Sequence, residues 1–516
     1  MSDLLPAQVS LKVVQAAGSA MARATAGLDH LVVVLPHAPG AAAWRLVPEA
    51  ARLKQQLKRR SSGGEGPEIL RSRLGNANGT GITLARMPAR PQLGSPAFAR
   101  LKFAGELMAD ALAEQPRRLG LLVAGMGDAA TEELITSLVL AAGAADFRLP
   151  EFRRKPARHA RLRELRIVGC SRKLDVTRTL AELEASNLVR WLSALPPNKL
   201  TATTYREVIR ELTEHHDWSM RFLDVAALRR LGAGAFLAVA QGNAQPDAGI
   251  VHLSWRPLGR ASPDIALVGK GIIFDTGGTN LKPFRAMLDM HQDMCGSAVA
   301  LALMLAITRL RLPVAVDCWL AITENRIAPQ AYKSRDIVTA ADGTTIEVIH
   351  TDAEGRMALA DTLVLAGREK PRLIVDFATL TGQCINALTE RYSGVFTNRE
   401  TLNDLLREAG RDSGERVWPF PMDEDFDEDL KSKVADVVQC SLDSEGDHIL
   451  AARFLQRFVP KGIPWIHVDL ASATRKKGLG QVPGGPTGFG VRLMLNLLVD
   501  QGASLDAALA ASAHER

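Results

Sequence analysis

Two stretches of this chain hold residues whose types and spacing suit metal-assisted hydrolysis. LVGKGIIFDTGGTNLKPFRAMLDMHQDMCG, residues 267–296, leaves an apolar run at Lys270 and supplies Asp275, Lys282 and Asp293 through a glycine-rich loop. HTDAEGR, residues 350–356, crowds Asp352, Glu354 and Arg356 between an apolar run and a helical one. Asp275, Asp293, Asp352 and Glu354 carry four negative charges, which two divalent cations would balance. Without cations the carboxylates would repel one another and their pKa values would rise. Carboxylate oxygens suit Mn²⁺, Mg²⁺ or Zn²⁺, and one carboxylate can bridge two ions. Two such ions can share a water, lower its pKa and polarise a carbonyl. Lys282 and Arg356 would stabilise the oxyanion that forms.

Taken singly, each residue has a plainer reading. Thr351-x-x-Glu354 fits a capping box before the helical run RMALADTLVLAG. Lys270 suits a strand end, Asp275 a turn before Gly277-Gly278, and Asp293 the cap of the next helix. The capping box leaves Asp352 and Arg356 unexplained. A metal site uses all of them at once, provided the loops leave neighbouring strands of one sheet.

The surrounding pattern supplies such a sheet. Strands are predicted at 265–269, 313–323, 372–380 and 464–472, and helices at 294–310, 356–368 and 488–500. Near-continuous apolar strands alternating with helices predict a buried α/β sheet, whose ligands gather beyond the carboxyl ends of the strands. The first third alternates too: LDHLVVVLP and LGLLVAG read as strands, EAARLKQQLKRR and FARLKFAGELMADALAEQ as helices, and RSSGGEGPE as a loop. At 516 residues two domains are expected, each a mixed sheet flanked by helices, divided near residue 180. Residues 1–180 then form an N-terminal α/β domain with a basic linker, and 181–516 the domain with the dinuclear site.

At these residues the chain resembles the leucyl aminopeptidase family, the M17 dizinc exopeptidases. The resemblance rests on LVGKGIIFDTGG, the spacing through Asp293, TDAEGR, LGAGAFLAVAQGNAQP, DFATLTG and TGFGVRL, and covers most of 180–516. It implies removal of N-terminal residues, leucine-like ones preferred, from short peptides. Asp275 and Glu354 would bridge two metal ions, Mn²⁺ or Zn²⁺, with Asp352 completing one site and Lys270 and Asp293 the other. Lys270 must then be neutral, and burial beside cations is a setting that depresses a lysine pKa. Lys282 would polarise the substrate carbonyl, and Arg356 would hold a bicarbonate acting as general base. Met290, Thr379, Leu380 and Gly382 match positions that line the pocket for the first side chain. A homohexamer is implied as well.

The chain departs from the family pattern near the site. His350 stands where Asn is usual, Cys295 and Ser297 replace small residues, and Ser334 and Arg335 replace a Pro-Gly turn. CSLDSEGDHILAARF, residues 440–454, replaces a glycine-rich stretch. None removes a proposed ligand.

Other classes find less support. Phe274-Asp275-Thr276-Gly277 resembles an aspartic protease signature, but its partner DSG at 412 follows a polar helical run. HExxH, GxSxG and the P-loop pattern are absent. The five cysteines form no CxxC pair, and no signal peptide is read, which together suit a reducing cytoplasm. The apolar run 294–308 is short for a membrane span and reads as a buried helix. Net charge is +6, concentrated in the basic segment 153–178. That segment is either a solvated connecting face or a surface for phosphates, which would make nucleic-acid binding a second role or the main one.

Overall fold

Along His30–Leu35 the side chains alternate between two apolar clusters: Leu31, Val33 and Leu35 join one, Val32 and Val34 the other. A strand with period two that is buried on both faces must lie inside a sheet covered by helices on each side. The computed structural model describes residues 4–6, 11–16, 21–60, 68–88, 94–155, 161–170, 172–257, 259–443 and 445–511. Two compact units emerge, dividing between Leu183 and Glu184, with Lys477–Gly484 returning to the first unit and the N-terminal residues up to Pro6 belonging to the second. The unbroken helix Thr177–Ala194 carries the chain through the division.

The first unit holds strands β1 (Lys12–Gln15), β2 (His30–Leu35), β3 (Glu68–Arg73), β4 (Gly81–Arg86), β5 (Arg118–Val123) and β6 (Glu164–Val168). Their order is β1-β6-β5-β2-β4-β3, parallel except for β3. The helices Ala50–Arg60, Pro96–Ala111 and Asp128–Asp146 accompany it. β6 corrects the reading of 153–178 as a connecting segment: Leu165, Ile167 and Val168 are buried, so the strand is part of the core. The basic residues around it are also less free than their density implied. Arg153, Arg166 and Arg178 each pair with a nearby glutamate, Glu151, Glu164 and Glu182. Residues 156–160 and 171 of that segment, 61–67 of the expected loop, and 1–3 and 7–10 at the N-terminus lie outside the described residues.

The second unit is built on β7 (Ser219–Asp224), β8 (Gly249–Trp255), β9 (Ile265–Asp275), β10 (Val316–Asn325), β13 (Leu373–Ala378), β14 (Ser393–Thr397), β15 (Val417–Pro419) and β17 (Trp465–Asp469). They form one sheet in the order β15-β14-β17-β13-β9-β10-β8-β7. A smaller sheet joins β11 (Ile337–Thr339), β12 (Thr345–Glu347) and β16 (Val437–Val438). The four central strands, β17-β13-β9-β10, are parallel, so their carboxyl ends open on one side. Both units are thus mixed sheets flanked by helices, as the alternation of patterns predicted. The helix Thr401–Ser413 runs through Asp412-Ser413, so that DSG sits on a helix end and not on a strand turn.

Helices cover both faces of the central strands. Along β9 the side chains of Ala266, Val268 and Ile272 join the same cluster as Ala358, Leu359 and Leu363 of helix Glu354–Arg368. On the opposite face lies helix Cys295–Arg309, buried without a break from Cys295 to Ile307. Its apolar composition is explained by that burial. Close approach there depends on Gly296, where a Cβ would stand 2.1 Å from the Phe377 carbonyl oxygen and 2.8 Å from its carbon. Both neighbours are backbone and cannot swing aside. Gly296→Ala is expected to destabilise the fold by at least about 1–3 kcal/mol, the range for overpacked cores. Gly382→Ala, which meets nothing within 4 Å, should stay within about 0.5 kcal/mol of wild type. Denaturant midpoints of both variants measure the contrast.

Candidate metal centre

β9 is unusually long, eleven residues, and delivers two functional groups from one strand. Lys270 points to the face covered by helix Glu354–Arg368, where it runs under Gly355; a Cβ at Gly355 would stand 2.7 Å from its Nζ. Asp275 ends the strand in register with Asn325, the last residue of β10. The Asn325 amide donates to Asp275 Oδ1 (2.8 Å) and to the Thr351 carbonyl (2.9 Å). The Gly277 amide also donates to Asp275 Oδ1 (2.8 Å), so the turn reading and the charged reading of Asp275 hold together. Asp275 Oδ2 is left facing Lys282 Nζ at 2.8 Å.

HTDAEGR closes against this loop through Thr351, whose hydroxyl donates to the Gly277 carbonyl (2.6 Å) and accepts from the Asn280 amide (2.8 Å). The capping box is therefore not formed. Helix Glu354–Arg368 starts after Ala353 with no side-chain cap, and Glu354 turns to Lys270 instead. Buried Thr351 forgoes the cap because it bonds the two functional loops together. Asp293 likewise caps nothing; Met294 occupies that place at the start of helix Cys295–Arg309.

Lys270 Nζ reaches Asp293 Oδ1 (2.8 Å), Glu354 Oε1 (2.9 Å) and the Thr379 carbonyl (3.0 Å). Lys282 contacts Asp275 and Asp352. One oxygen from each of Asp275, Asp293 and Glu354 lies within 4.8 Å of the others, and all three residues are buried. Asp352 is half-buried and joins through Lys282. Six of the residues singled out by sequence, Lys270, Asp275, Lys282, Asp293, Asp352 and Glu354, thus come together.

The remaining candidates are placed less uniformly. The Thr379 hydroxyl donates to Asp293 Oδ1 (2.7 Å), so this residue touches the acidic cluster itself. Leu380 is half-buried and its amide donates to Asp469 Oδ1 (3.1 Å). Met290 opens the short turn before Asp293, half-buried, and Gly382 is exposed at the start of helix Gly382–Leu388. Arg356 is buried and turns to Asp447, with Nη2 at 2.8 and 2.9 Å from the two carboxylate oxygens. His350 is exposed, and its Nδ1 accepts from the Asp352 amide (3.3 Å). Asn325, Asp447 and Asp469 were not singled out by sequence. Asn325 carried little signal, since the strand it closes also holds Asp317, Thr323 and Glu324.

Crowding sets the protonation of the cluster. Burial, then repulsion from Glu354 and Asp275, pushes Asp293 up to about 8 against the pull of Lys270. Burial and Asp275 push Asp352 up to about 7. Burial works to lower Lys270, but Asp293, Glu354 and Asp275 outweigh it and hold the ammonium above the ordinary lysine range. The expected depression of Lys270 is thus reversed when carboxylates alone surround it. Lys282 is raised in the same way. Asp293 Oδ2 is buried with no hydrogen-bond partner. An acceptor-only oxygen left unpaired in a crowd of carboxylates fits a divalent cation.

Residues 187–495 match the cytosol aminopeptidase family, catalytic domain. A probable cytosol aminopeptidase of Parasynechococcus marenigrum is 43% identical over 313 residues, 60% of this chain and 64% of that protein. One from Syntrophotalea carbinolica is 44% identical over 312 residues, 60% of this chain and 62% of that protein. The chain therefore spans less than two thirds of the length of these relatives. Among solved structures, the bottromycin maturation enzyme BotP in complex with Mn shares 32% identity at a TM-score of 0.77, covering 93% of this chain and 99% of BotP. A tomato leucine aminopeptidase variant shares 25% at 0.80, covering 96% and 98%.

The shifts carry a signed expectation. Asp293 and Asp352 bind protons more tightly folded than unfolded, so their contribution to stability is complete below about pH 4 and is lost as pH rises through about 7 to 8. Lys270 and Lys282 stay charged across that window and do not cancel the trend. A cation bound at the cluster would replace those protons. The gain in melting temperature on adding Mn²⁺ or Zn²⁺ to chelated protein should therefore grow from about pH 5 to about pH 8. Thermal melts of chelated and metal-loaded protein across that range measure it.

Proposed function

The chain belongs to the cytosol aminopeptidase family, and from that premise we propose that it is a metal-dependent aminopeptidase. It removes the N-terminal residue, leucine-like ones preferred, from short peptides in the cytoplasm. The observation that carries this is the convergence of Asp275, Asp293 and Glu354 to within 4.8 Å at the carboxyl ends of parallel strands. Asp275, Asp293, Asp352, Glu354 and Lys270 would hold two divalent ions, Mn²⁺ or Zn²⁺. Bound there, the ions supply a water of lowered pKa and polarise the scissile carbonyl.

The chain's own groups do the rest. Lys270 could serve as a ligand only without its proton, and the Thr379 carbonyl 3.0 Å away keeps the amine aimed at the cluster. Lys282, which pairs with Asp275, would donate to the oxygen on which negative charge develops. Met290, Thr379, Leu380 and Gly382 would line the pocket for the first side chain, and a homohexamer follows from the same resemblance. The bicarbonate assigned to Arg356 does not fit the residues present, because that guanidinium already bonds Asp447. No step is drawn through it. Among the described residues of 153–178, no observation favours nucleic-acid binding.

Hydrolysis of leucine-p-nitroanilide and a dipeptide panel, before and after chelation and after return of Mn²⁺ or Zn²⁺, tests the reading. Activity should vanish with chelator and return at about two ions per chain. Asp352→Ala and Glu354→Ala should lose turnover together with bound metal. Lys282→Ala should keep its metal and lower kcat by about 100- to 1,000-fold. Wild-type turnover in the carboxylate variants, or no metal and no hydrolysis in the wild type, would overturn it.

A further inference from the structure

The segment 440–454, one of those that depart from the family pattern, places a carboxylate on the arginine of the site. Gly446 adopts a left-handed conformation and starts helix Asp447–Gln456, with Asp447 as its first residue. There the helix N-terminus favours a negative charge. Across from it Arg356 is 2% exposed, so its charge needs a partner. Nη2 meets both oxygens of Asp447, at 2.8 and 2.9 Å, and Nη1 meets the Gln439 carbonyl at 3.3 Å. Nε has no partner.

This pair adjoins the carboxylate cluster. Arg356 lies two residues beyond Glu354 on one helix, and Gln439 ties the neighbouring turn. The Gln439 side chain accepts from the Ile349 and His350 amides and donates to the Ala353 carbonyl. His350 lies within electrostatic reach of Lys282 and Glu354 and also of Asp447 and Arg356. Asp447 keeps 26% of its side chain exposed, whereas the guanidinium behind it is closed off.

We propose that Asp447 is the resident anion of Arg356, a carboxylate built into the chain in the place that the family resemblance gives to bicarbonate. A tethered carboxylate competes at an effective concentration far above that of a dissolved ion, and with both Asp447 oxygens on Nη2 and the Gln439 carbonyl on Nη1 a dissolved anion would have to displace it to reach the same donors. Bicarbonate is therefore excluded from the wild-type site, and the hydrolysis proposed above proceeds without it. The catalytic part of this rests on the aminopeptidase reading; the occupancy of Arg356 does not.

Asp447→Gly opens the place, and Asp447→Asn fills it without the charge. The full chain is tested in decarbonated buffer and with bicarbonate against chloride at equal ionic strength, reading both melting temperature and peptide turnover. Wild type should show no bicarbonate-dependent rise in melting temperature and equal turnover in both buffers. Asp447→Gly should lose about 100-fold or more in turnover, then gain both stability and turnover as bicarbonate is added. Asp447→Asn should lose turnover without rescue. Bicarbonate stabilising the wild type, or decarbonation slowing it, would overturn the inference. So would Asp447→Gly with wild-type turnover and no bicarbonate response. Should Asp447→Gly fail to fold, the two wild-type readings and Asp447→Asn still decide. If no form hydrolyses peptides, the aminopeptidase reading has failed, while the bicarbonate-dependent melting of wild type against Asp447→Gly still judges the occupancy of Arg356.

Discussion

The structure of the second unit depends on a repulsion. Asp275, Asp293 and Glu354 are held together in a buried space, with Asp352 beside them, and among the described residues the cationic groups bonded to them are Lys270 and Lys282. Four carboxylates against two ammonium groups leave an excess of negative charge that neither water nor protein can solvate cheaply. Part of it is relieved by protonation, seen in the raised Asp293 and Asp352. Part is relieved by hydrogen bonds, seen in the two amide donors on Asp275 Oδ1. What remains is an affinity for cations, and it arises from the way the fold confines the acids.

That confinement is a matter of backbone register. Asp275 and Asn325 end adjacent parallel strands at paired positions, so one amide side chain spans from β10 to the turn at Thr351. Thr351 then bonds the glycine loop that follows Asp275, and Tyr332 donates to the same threonine's carbonyl at 2.8 Å. Asp293 is brought in by a different route. The helix that follows it lies so close to β9 and β13 that its second residue must be glycine. The acids are therefore fixed by elements with their own apolar reasons to pack, which is how a repulsive cluster can be held at all.

Charge and pattern made much of this legible in the sequence. Six polar residues at the ends of apolar runs pointed to one cluster, because near-continuous apolar strands have few places to put acids and lysines. The limits of that reading are equally physical. Thr351-x-x-Glu354 satisfies a local capping rule, and only tertiary contacts reveal that both residues bond elsewhere. Asn325 serves the site from a strand end whose sequence differs little from that of any buried strand. β6 was hidden inside a basic segment because an edge of charged residues masked a short core strand. The departure at 440–454 was visible, but that Asp447 would meet Arg356 depends on where a helix starts, 91 residues further along the chain.

Lys270 shows how these acids can be packed together by the chain's own groups. In the carboxylate cluster alone it is an ammonium with three acceptors, and it offsets part of the negative charge there. A metal ligand, by contrast, must be an unprotonated amine. The same side chain meets both needs because the balance is set by its neighbours. Three carboxylates raise its proton affinity, and a divalent cation among them reverses the sign of the local field. On the proposed reading, a metal bound among these groups would displace protons from side chains that the fold already brings together. Arg356 is handled differently: a guanidinium cannot surrender its proton, so a resident anion offsets the cost of burying its charge. Asp447 meets that requirement from within the chain.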